Sequence, residues 1–361
     1  MPKFIHGLRL SGLFFEREVA PLLRASFPHL RYSAGLIGPG SEVLGYDTPQ
    51  SRDHDWGPRV NLFLTEKDYI GKARIDNVLR KGLPYQFLGY SVNFSAKDED
   101  GVRWMERRST GEVHHNIGLC TMQSFFESYL GIDPTKGIPL KAWLSFPDQK
   151  LLTIAKGSVF HDDLGIKKIL RRFQYYPKDI WLYAMAAQWI KIHQEEPFVA
   201  RASAIGDELG SRVIAARLVK ELMELCFLME RKYSPYSKWL GTAFSELRIS
   251  DELAPIFNRV LSSTCMKERE KWISKAYEIV ARKHNSLRIT DPLPTATSRF
   301  HNRPYLIIHG EVFSAQIRKQ IRDRQIRELP LIGTVDQLLY SGDSLNPSQV
   351  RRLPLAAKQL R

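Results

Sequence analysis

The apolar positions in the first 130 residues alternate between helical spacing and strand spacing. Residues 12–26 repeat apolar side chains every three or four positions, which predicts a first helix. After that helix, the pattern predicts strands at residues 32–37, 53–64, 86–94 and 114–121, and helices at residues 69–79 and 121–130. Strands that alternate with helices indicate an α/β arrangement, and we assign this first domain to residues 1–146.

The pattern changes after Pro147, where helical spacing becomes dominant. Residues 150–160 predict a hairpin or an extended arm, and helices follow at residues 179–194, 197–231, 253–262 and 267–283. We therefore predict a helical bundle domain at residues 147–290. Residues 291–361 predict a C-terminal extension that contains a short strand at 304–309, a basic helix at 312–327 and a polar tail from residue 341.

One apolar stripe runs along the predicted helix at residues 197–231. Its members recur at helical intervals and are Ile205, Leu209, Val213, Ala216, Val219, Met223, Cys226 and Met229. A stripe of this kind is typical of core packing in a bundle rather than of a cofactor site.

Two short polar motifs lie between the first predicted strand and the beginning of the second. The turn Gly38–Ser41 follows the first strand, and Asp53 and Asp55 lie two residues apart at the beginning of the second. Because strand side chains alternate between faces, the two aspartates would project to one side, with His54 opposite. Two carboxylates beside a Gly-Ser turn suit a magnesium ion that carries the phosphates of a nucleotide.

The charge of the chain favours anionic partners. Its 361 residues carry a formal net charge of +14, and 43% of them are hydrophobic, as in globular proteins. The basic residues are spread along the chain, so an ordinary basic protein and a nucleic-acid binder are equally compatible with the composition.

The cysteines and the longest apolar run predict a cytoplasmic protein with no membrane partner. The three cysteines, Cys120, Cys226 and Cys265, are scattered, which excludes a disulfide framework or a zinc ribbon and fits a reducing compartment. The apolar run at residues 180–190 is much shorter than the ~20 residues that span a bilayer.

The order of these motifs resembles the nucleotidyltransferase superfamily, which includes polymerase-beta-like enzymes and aminoglycoside nucleotidyltransferases. The resemblance rests on Gly40-Ser41, a spacer, Asp53-x-Asp55 and an apolar strand. Three further segments resemble a bacterial family known mainly as a domain of unknown function with a predicted nucleotidyltransferase fold (DUF4037): residues 45–47, residues 53–59 and residues 233–241. The resemblance implies an α+β fold, with a nucleotidyltransferase-like mixed sheet and flanking helices followed by a C-terminal helical domain.

The resemblance also implies a reaction and its residues. Asp53 and Asp55 would bind one or two Mg²⁺ ions, and Gly40 with Ser41 would bind the β- and γ-phosphates of a nucleoside triphosphate, for which ATP is the default guess. The protein would move a nucleoside monophosphate to a hydroxyl of a small molecule, an RNA or a protein. From the residues themselves, Lys238 would be a further phosphate contact in a cleft lined by Tyr233, Tyr236 and Trp239, unless these aromatic residues only close a helix junction.

The superfamily places a third carboxylate on a neighbouring strand, and here that strand has Gly118 near the expected position. Glu112 precedes the strand, and Asp98 and Asp100 lie on a predicted turn. The alternative hypothesis is therefore a nucleotide- or RNA-binding regulatory protein that has weak or no catalytic activity. A third hypothesis, a toxin-neutralising partner that modifies another protein, rests on analogy with the superfamily alone.

Two other acidic motifs can be interpreted either as structural or as catalytic. Residues His161, Asp162 and Asp163 favour a turn with Asp163 near a helix N-cap over a phosphohydrolase pair. Glu195 and Glu196 are either acids that serve an acceptor or a solvated helix end before Pro197.

Overall fold

The computed structural model describes residues 3–52, 54–99 and 101–339. Their contacts divide the chain into two compact units. The first contains the described residues of Met1–Ile138 and Lys150–Gln174, and the second those of Pro139–Gln149 and Tyr175–Arg361. The predicted domains are continuous in sequence, whereas both units are discontinuous.

The strands in chain order are β1 (Tyr32–Leu36), β2 (Arg59–Leu64), β3 (Gln86–Phe87), β4 (Tyr90–Ser91), β5 (Asn116–Cys120), β6 (Ser158–Asp162), β7 (Ser298–Arg299) and β8 (Leu306–Ile307). The helices before residue 175 are α1 (Gly7–Phe14), α2 (Ala20–Ser26), α3 (Ser41–Leu44), α4 (Glu66–Ile70), α5 (Lys72–Gly82), α6 (Met122–Leu130), α7 (Asp148–Ala155) and α8 (Ile166–Leu170). Those after it are α9 (Lys178–Glu195), α10 (Phe198–Ala204), α11 (Glu208–Met229), α12 (Ser237–Phe244), α13 (Ser250–Ser262), α14 (Met266–Ser286), α15 (Gly310–Lys319), α16 (Arg324–Arg327) and α17 (Val335–Leu338).

The first unit contains a four-stranded mixed sheet in the order β5-β2-β1-β6. Strand β1 is antiparallel to β2, with Gly35 opposite Asn61, and antiparallel to β6. Strands β2 and β5 are parallel, with Arg59 opposite Asn116 and Asn61 opposite Gly118. The structure confirms the predicted α+β class, with a mixed sheet, flanking helices and a helical C-terminal region.

The core of the first unit lies between this sheet and the first helix. Helices α1 and α2 are joined without a break by a π-helical turn at Phe15–Val19. Leu10, Phe14 and Val19 from this continuous helix pack in one buried cluster with Leu62 of β2 and Trp56. Burial of each such side chain contributes about 1.5–3 kcal/mol, so the helix and the sheet stabilise each other.

Three predicted elements of this unit are wrong in extent or type. The second strand begins at Arg59, so Asp55 precedes it and is not part of it. The strand predicted at residues 86–94 is the short β3–β4 hairpin. The hairpin or extended arm predicted at residues 150–160 is the end of α7 followed by β6, which joins the sheet at its edge beside β1.

The second unit is helical, and α9 lies at its centre. This helix buries residues on all of its sides, including Ile180, Tyr183 and Trp189, as a central helix does. The predicted single helix at residues 197–231 is two helices, because Asp207 caps a new helix by accepting a hydrogen bond from Gly210 N–H.

The predicted core stripe is therefore only partly buried. Val219, Cys226 and Met229 are buried as predicted, but Ile205, Leu209 and Val213 are exposed by 84%, 77% and 52%. In the first part of α11 the buried residues are instead Ser211, Ala215, Leu218, Leu222 and Leu225.

Candidate functional site

The Gly-Ser turn and the entrance to β2 lie at the same end of the sheet. Strand β1 ends at Leu36, and the next amide, Ile37 N–H, donates to Asn61 Oδ1 on β2 at 3.1 Å. Because β1 and β2 are antiparallel, the turn that follows β1 returns beside the first residue of β2. Ser41 then begins the short helix α3.

Arg59 joins the turn to the strand. Its Nε donates to Glu42 Oε1 at 2.7 Å, and its Nη2 donates to the carbonyl oxygen of Pro39 at 2.5 Å. Burial raises the pKa of Glu42, and the guanidinium of Arg59 opposes that rise. Neither residue was assigned a role from the sequence, although an acid next to a Gly-Ser turn was a usable signal.

Gly40 is required by this packing. Its φ of +144° is strained for side-chain-bearing residues, and a Cβ there would lie 2.2 Å from Arg59 Nη2. The atoms closest to Gly40 therefore belong to the Arg59–Glu42 pair, at the position where the resemblance implies a phosphate. Ser41 is partly exposed beside it.

Asp55 lies in the irregular segment before β2, where it is half-buried. Its N–H donates to the carbonyl oxygen of Arg103 at 2.6 Å, and Arg103 N–H donates to Asp55 Oδ1 at 3.3 Å. Its φ of +44° is in the left-handed region, so the predicted strand alternation does not apply to it. Asp53 lies outside the described residues.

Arg103 brings a second cation to this end of the sheet. Its guanidinium donates to the carbonyl oxygens of Ser95, His115 and His114 at 2.8, 3.1 and 3.3 Å, beside the beginning of β5. Burial lowers its pKa, and the charge of Asp55 opposes that effect. No sequence signal separates this arginine from its neighbours Arg107 and Arg108.

Asp47 has a structural role. Its Oδ2 accepts hydrogen bonds from Gly7 N–H, at the first residue of α1, and from Trp56 Nε1–H, at 2.7 and 2.9 Å, and its Oδ1 lies 2.9 Å from His6 Nδ1. The motif at residues 45–47 and the tryptophan of the motif at residues 53–59 therefore meet at the N-terminus of the first helix.

Strand β5 does not carry the third carboxylate that the resemblance implies. Gly118 is exposed, and the nearest atom to a Cβ placed there is Asn61 Nδ2 at 3.5 Å. Glu112 pairs loosely with Lys81 at 4.0 Å, and Asp98 accepts a hydrogen bond from Val102 N–H within its turn. Asp100 lies outside the described residues. The strand therefore has room for an acid that it lacks.

Lys238 belongs to the second unit, whereas Gly40, Ser41 and Asp55 belong to the first. It is exposed in the first turn of α12, with Nζ 5.0 Å from the ring centroid of Trp239. Tyr233 is buried against Tyr175 and Tyr176, which supports the helix-junction interpretation for that residue.

The acidic motif at residues 161–163 precedes α8, whose N-cap is Gly165, and the acid that bonds to the first amides of the helix is Asp162 rather than Asp163. Asp162 accepts hydrogen bonds from Ile166 N–H and Lys167 N–H at 2.8 and 3.1 Å. Asp163 lies 2.8 Å from His161 Nε2 instead.

Two partly buried carboxyl groups in the second unit predict pH-dependent stability. Asp336 Oδ2 accepts a hydrogen bond from Asp148 N–H at 2.5 Å, and Asp148 accepts from Tyr176 and Ser234. Burial raises the pKa of Asp148 to about 6 and that of Asp336 to about 8. The native state thus holds protons that the unfolded carboxyl groups, with pKa values of ~3.9, release.

We expect the melting temperature to fall as the pH rises through this range, because the stability due to protonation is lost above the folded pKa values. Thermal unfolding between about pH 5 and about pH 9 measures it. Asp336→Asn should flatten the profile, whereas Asp251→Asn, at an exposed site, should leave it unchanged. A wild-type profile that rises with pH over the same range would contradict this assignment.

Comparison with known proteins finds a family match over part of the chain and a structural neighbour. Residues 143–240 match the model of the family described as Domain of unknown function (DUF4037), which confirms the family resemblance. A crystal structure of a nucleotidyltransferase-like protein from Exiguobacterium sibiricum 255-15 covers 75% of this chain and 76% of its own, with a TM-score of 0.36 and 10% identity. No curated protein matches the sequence. In the described residues, no helix is long and apolar enough to cross a bilayer.

Proposed function

We propose that this protein is a Mg²⁺-dependent nucleotidyltransferase, which transfers a nucleoside monophosphate from a nucleoside triphosphate to a hydroxyl group. The proposal rests on the sequence motifs together with one structural observation. Arg59 contacts Pro39 and Glu42, and so brings the Gly-Ser turn to the strand that Asp55 precedes by four residues.

Asp55 has the chemical properties of a magnesium ligand. Among the described residues its carboxylate accepts one hydrogen bond, the 3.3 Å contact from Arg103, so its oxygens keep free lone pairs. Carboxylate oxygens are the donors that Mg²⁺ prefers, and the ion is usually held by one or two of them together with phosphate oxygens. Asp55 and Asp53 would hold it, and the bound ion would neutralise charge on the triphosphate.

Other residues of the first unit would orient the substrate. The backbone amides near Gly40 and the Ser41 hydroxyl offer donors to phosphate oxygens. Arg59 and Arg103 place two guanidinium groups at the same end of the sheet, which favours a polyanion there. The acceptor is a small molecule, an RNA or a protein.

Transfer of radiolabel from α-labelled triphosphates tests the proposal directly. The assay uses the full chain, each of the four nucleotides, and acceptor panels of small molecules, RNA and protein extracts, with and without a chelator. We expect Mg²⁺-dependent labelling of one acceptor class. If the protein neither labels an acceptor nor binds a magnesium–nucleotide complex in calorimetry, the proposal is wrong.

The absence of an acid on β5 favours a second candidate, a nucleotide- or RNA-binding regulatory protein without turnover. Gly118 pairs with Asn61, two residues along β2 from Arg59, so a side chain at Gly118 would share the face of the sheet that carries Arg59. Nucleotide binding without transfer in the same preparation would support this candidate.

Gly118→Asp separates the two candidates. The new carboxylate has space beside Asn61, so the fold should tolerate it. If the missing acid limits catalysis, we expect the transfer rate to rise about 100-fold, within the range by which a positioned base accelerates reactions. Gly118→Asn, which adds the same volume without the charge, is the control and should leave the rate unchanged. Equal rates in both variants would mean that the acid is not what limits transfer.

A further inference from the structure

Three potential metal ligands converge in the second unit, at the junction of α9 and α15. His193 and Glu196 lie three residues apart at the end of α9, and Glu311 lies in the first turn of α15. Their ligand atoms are all within 4.8 Å of one another. The i, i+3 spacing places His193 and Glu196 on one helical face, so the convergence follows from the helix geometry.

Backbone hydrogen bonds fix the position of Glu196. It is 3% exposed, and it accepts hydrogen bonds from Ile308, His309 and Gly310 N–H at 2.6, 3.0 and 2.9 Å. This is not the solvated helix end that the sequence allowed. Each carboxylate oxygen has two lone pairs that can accept a donor or bind a cation. Glu196 Oε1 accepts one hydrogen bond, from Gly310 N–H, so it has a lone pair left for a metal ion.

The contact between His193 and Glu311 lacks a hydrogen bond. His193 Nδ1 lies 2.7 Å from Glu311 Oε2 and 3.6 Å from Glu196 Oε1. Nevertheless, both His193 Nδ1 and Glu311 Oε2 are buried atoms without a hydrogen-bond partner among the described residues. When the imidazole is protonated the two atoms form an ion pair, and a bound divalent cation would replace that proton between them.

A second layer of contacts orients Glu311. His309 Nδ1 lies 3.2 Å from Glu311 Oε1, and His309 Nε2 lies 2.9 Å from the Ser298 hydroxyl. His309 also has a left-handed φ of +61°, a backbone conformation that non-glycine residues adopt only when their surroundings hold it. Metal ligands are typically held by outer contacts of this kind.

We propose that His193, Glu196 and Glu311 bind a divalent transition metal, with zinc as its representative. One imidazole and two carboxylates form a ligand set that suits zinc better than magnesium, which prefers oxygen ligands alone. Three protein ligands leave a fourth position for water or for a bound group. All of its residues belong to the second unit, whereas the proposed ligands of the magnesium ion belong to the first.

Zinc titration of the full chain, without a histidine tag, tests the proposal. Excess Mg²⁺ is added so that sites made of oxygen ligands alone do not bind zinc. A chromophoric chelator measures the concentration of free zinc. We expect the wild type to bind one zinc equivalent, and His193→Gln and Glu311→Gln to bind it at least about tenfold more weakly. His29→Gln, at an exposed histidine of the first unit, is the matched control and should bind as the wild type does.

A measurement on the wild type alone covers the case in which a variant does not fold. Bound zinc should protect His193 from diethylpyrocarbonate modification, as measured by mass spectrometry, and should leave His29 reactive. Lack of zinc binding by the wild type would overturn the proposal, as would full reactivity of His193 at saturating zinc. Neither result would bear on nucleotide transfer, which is assayed separately.

Discussion

Asp47→Ala is expected to lower the free energy of unfolding of the first unit by about 2–5 kcal/mol, because it leaves two buried donors without a partner. Those donors are Gly7 N–H and Trp56 Nε1–H, and both bond to Asp47 Oδ2. Trp56 is 1% exposed, so water cannot replace the lost acceptor without opening the core. Denaturant unfolding, followed by tryptophan fluorescence and circular dichroism, measures the change.

Asp251→Ala is the control for this stability measurement. Asp251 is exposed, and removing it should change the stability by less than about 0.5 kcal/mol. A loss of similar size in both variants would show that the hydrogen bonds of Asp47 contribute little to stability.

Asp55→Asn is expected to lower the rate of nucleotide transfer at least about 100-fold, if the proposed function is correct. A bound metal stabilises the transition state by several kcal/mol, and each ~1.4 kcal/mol corresponds to about tenfold in rate. Asparagine keeps an oxygen that can accept the Arg103 hydrogen bond, so the fold should be retained. The apparent affinity for Mg²⁺, measured from the dependence of the rate on metal concentration, should fall together with the rate.

Two further variants complete this experiment. Asp53→Asn should behave as Asp55→Asn does, because the proposal assigns both residues to the same ion. Asp291→Asn, at an exposed position in the second unit, should retain the wild-type rate. Unchanged rates in both Asp53→Asn and Asp55→Asn would remove these aspartates from the mechanism.

The local pattern was sufficient to predict most helices and the central strands. The helix predicted at residues 179–194 is α9, which follows Pro177, and Thr121 caps α6 where the pattern placed a helix start. Both signals are local, since each depends on a few neighbouring residues. The strand assigned to Asp55 was wrong, because strand pairing begins only where β5 provides a partner for Arg59.

The candidate site was only partly predictable for a related reason. The Gly-Ser turn and Asp55 were chosen by residue type and spacing. By contrast, the sequence does not show that Arg59, Glu42 and Arg103 lie together. They do so because β1 ends, and β2 and β5 begin, at the same end of the sheet. The roles of Glu196 and Glu311 likewise depend on a contact between helices that are more than 100 residues apart.

The return of β6 to the sheet has a practical consequence for recombinant fragments. A fragment truncated at residue 146 would lack β6, and the outer edge of β1 would then expose unpaired backbone groups. Open edges of this kind recruit other chains, so such a fragment would be prone to precipitate during expression. Any fragment intended to carry the sheet by itself should therefore include the residues through Gln174.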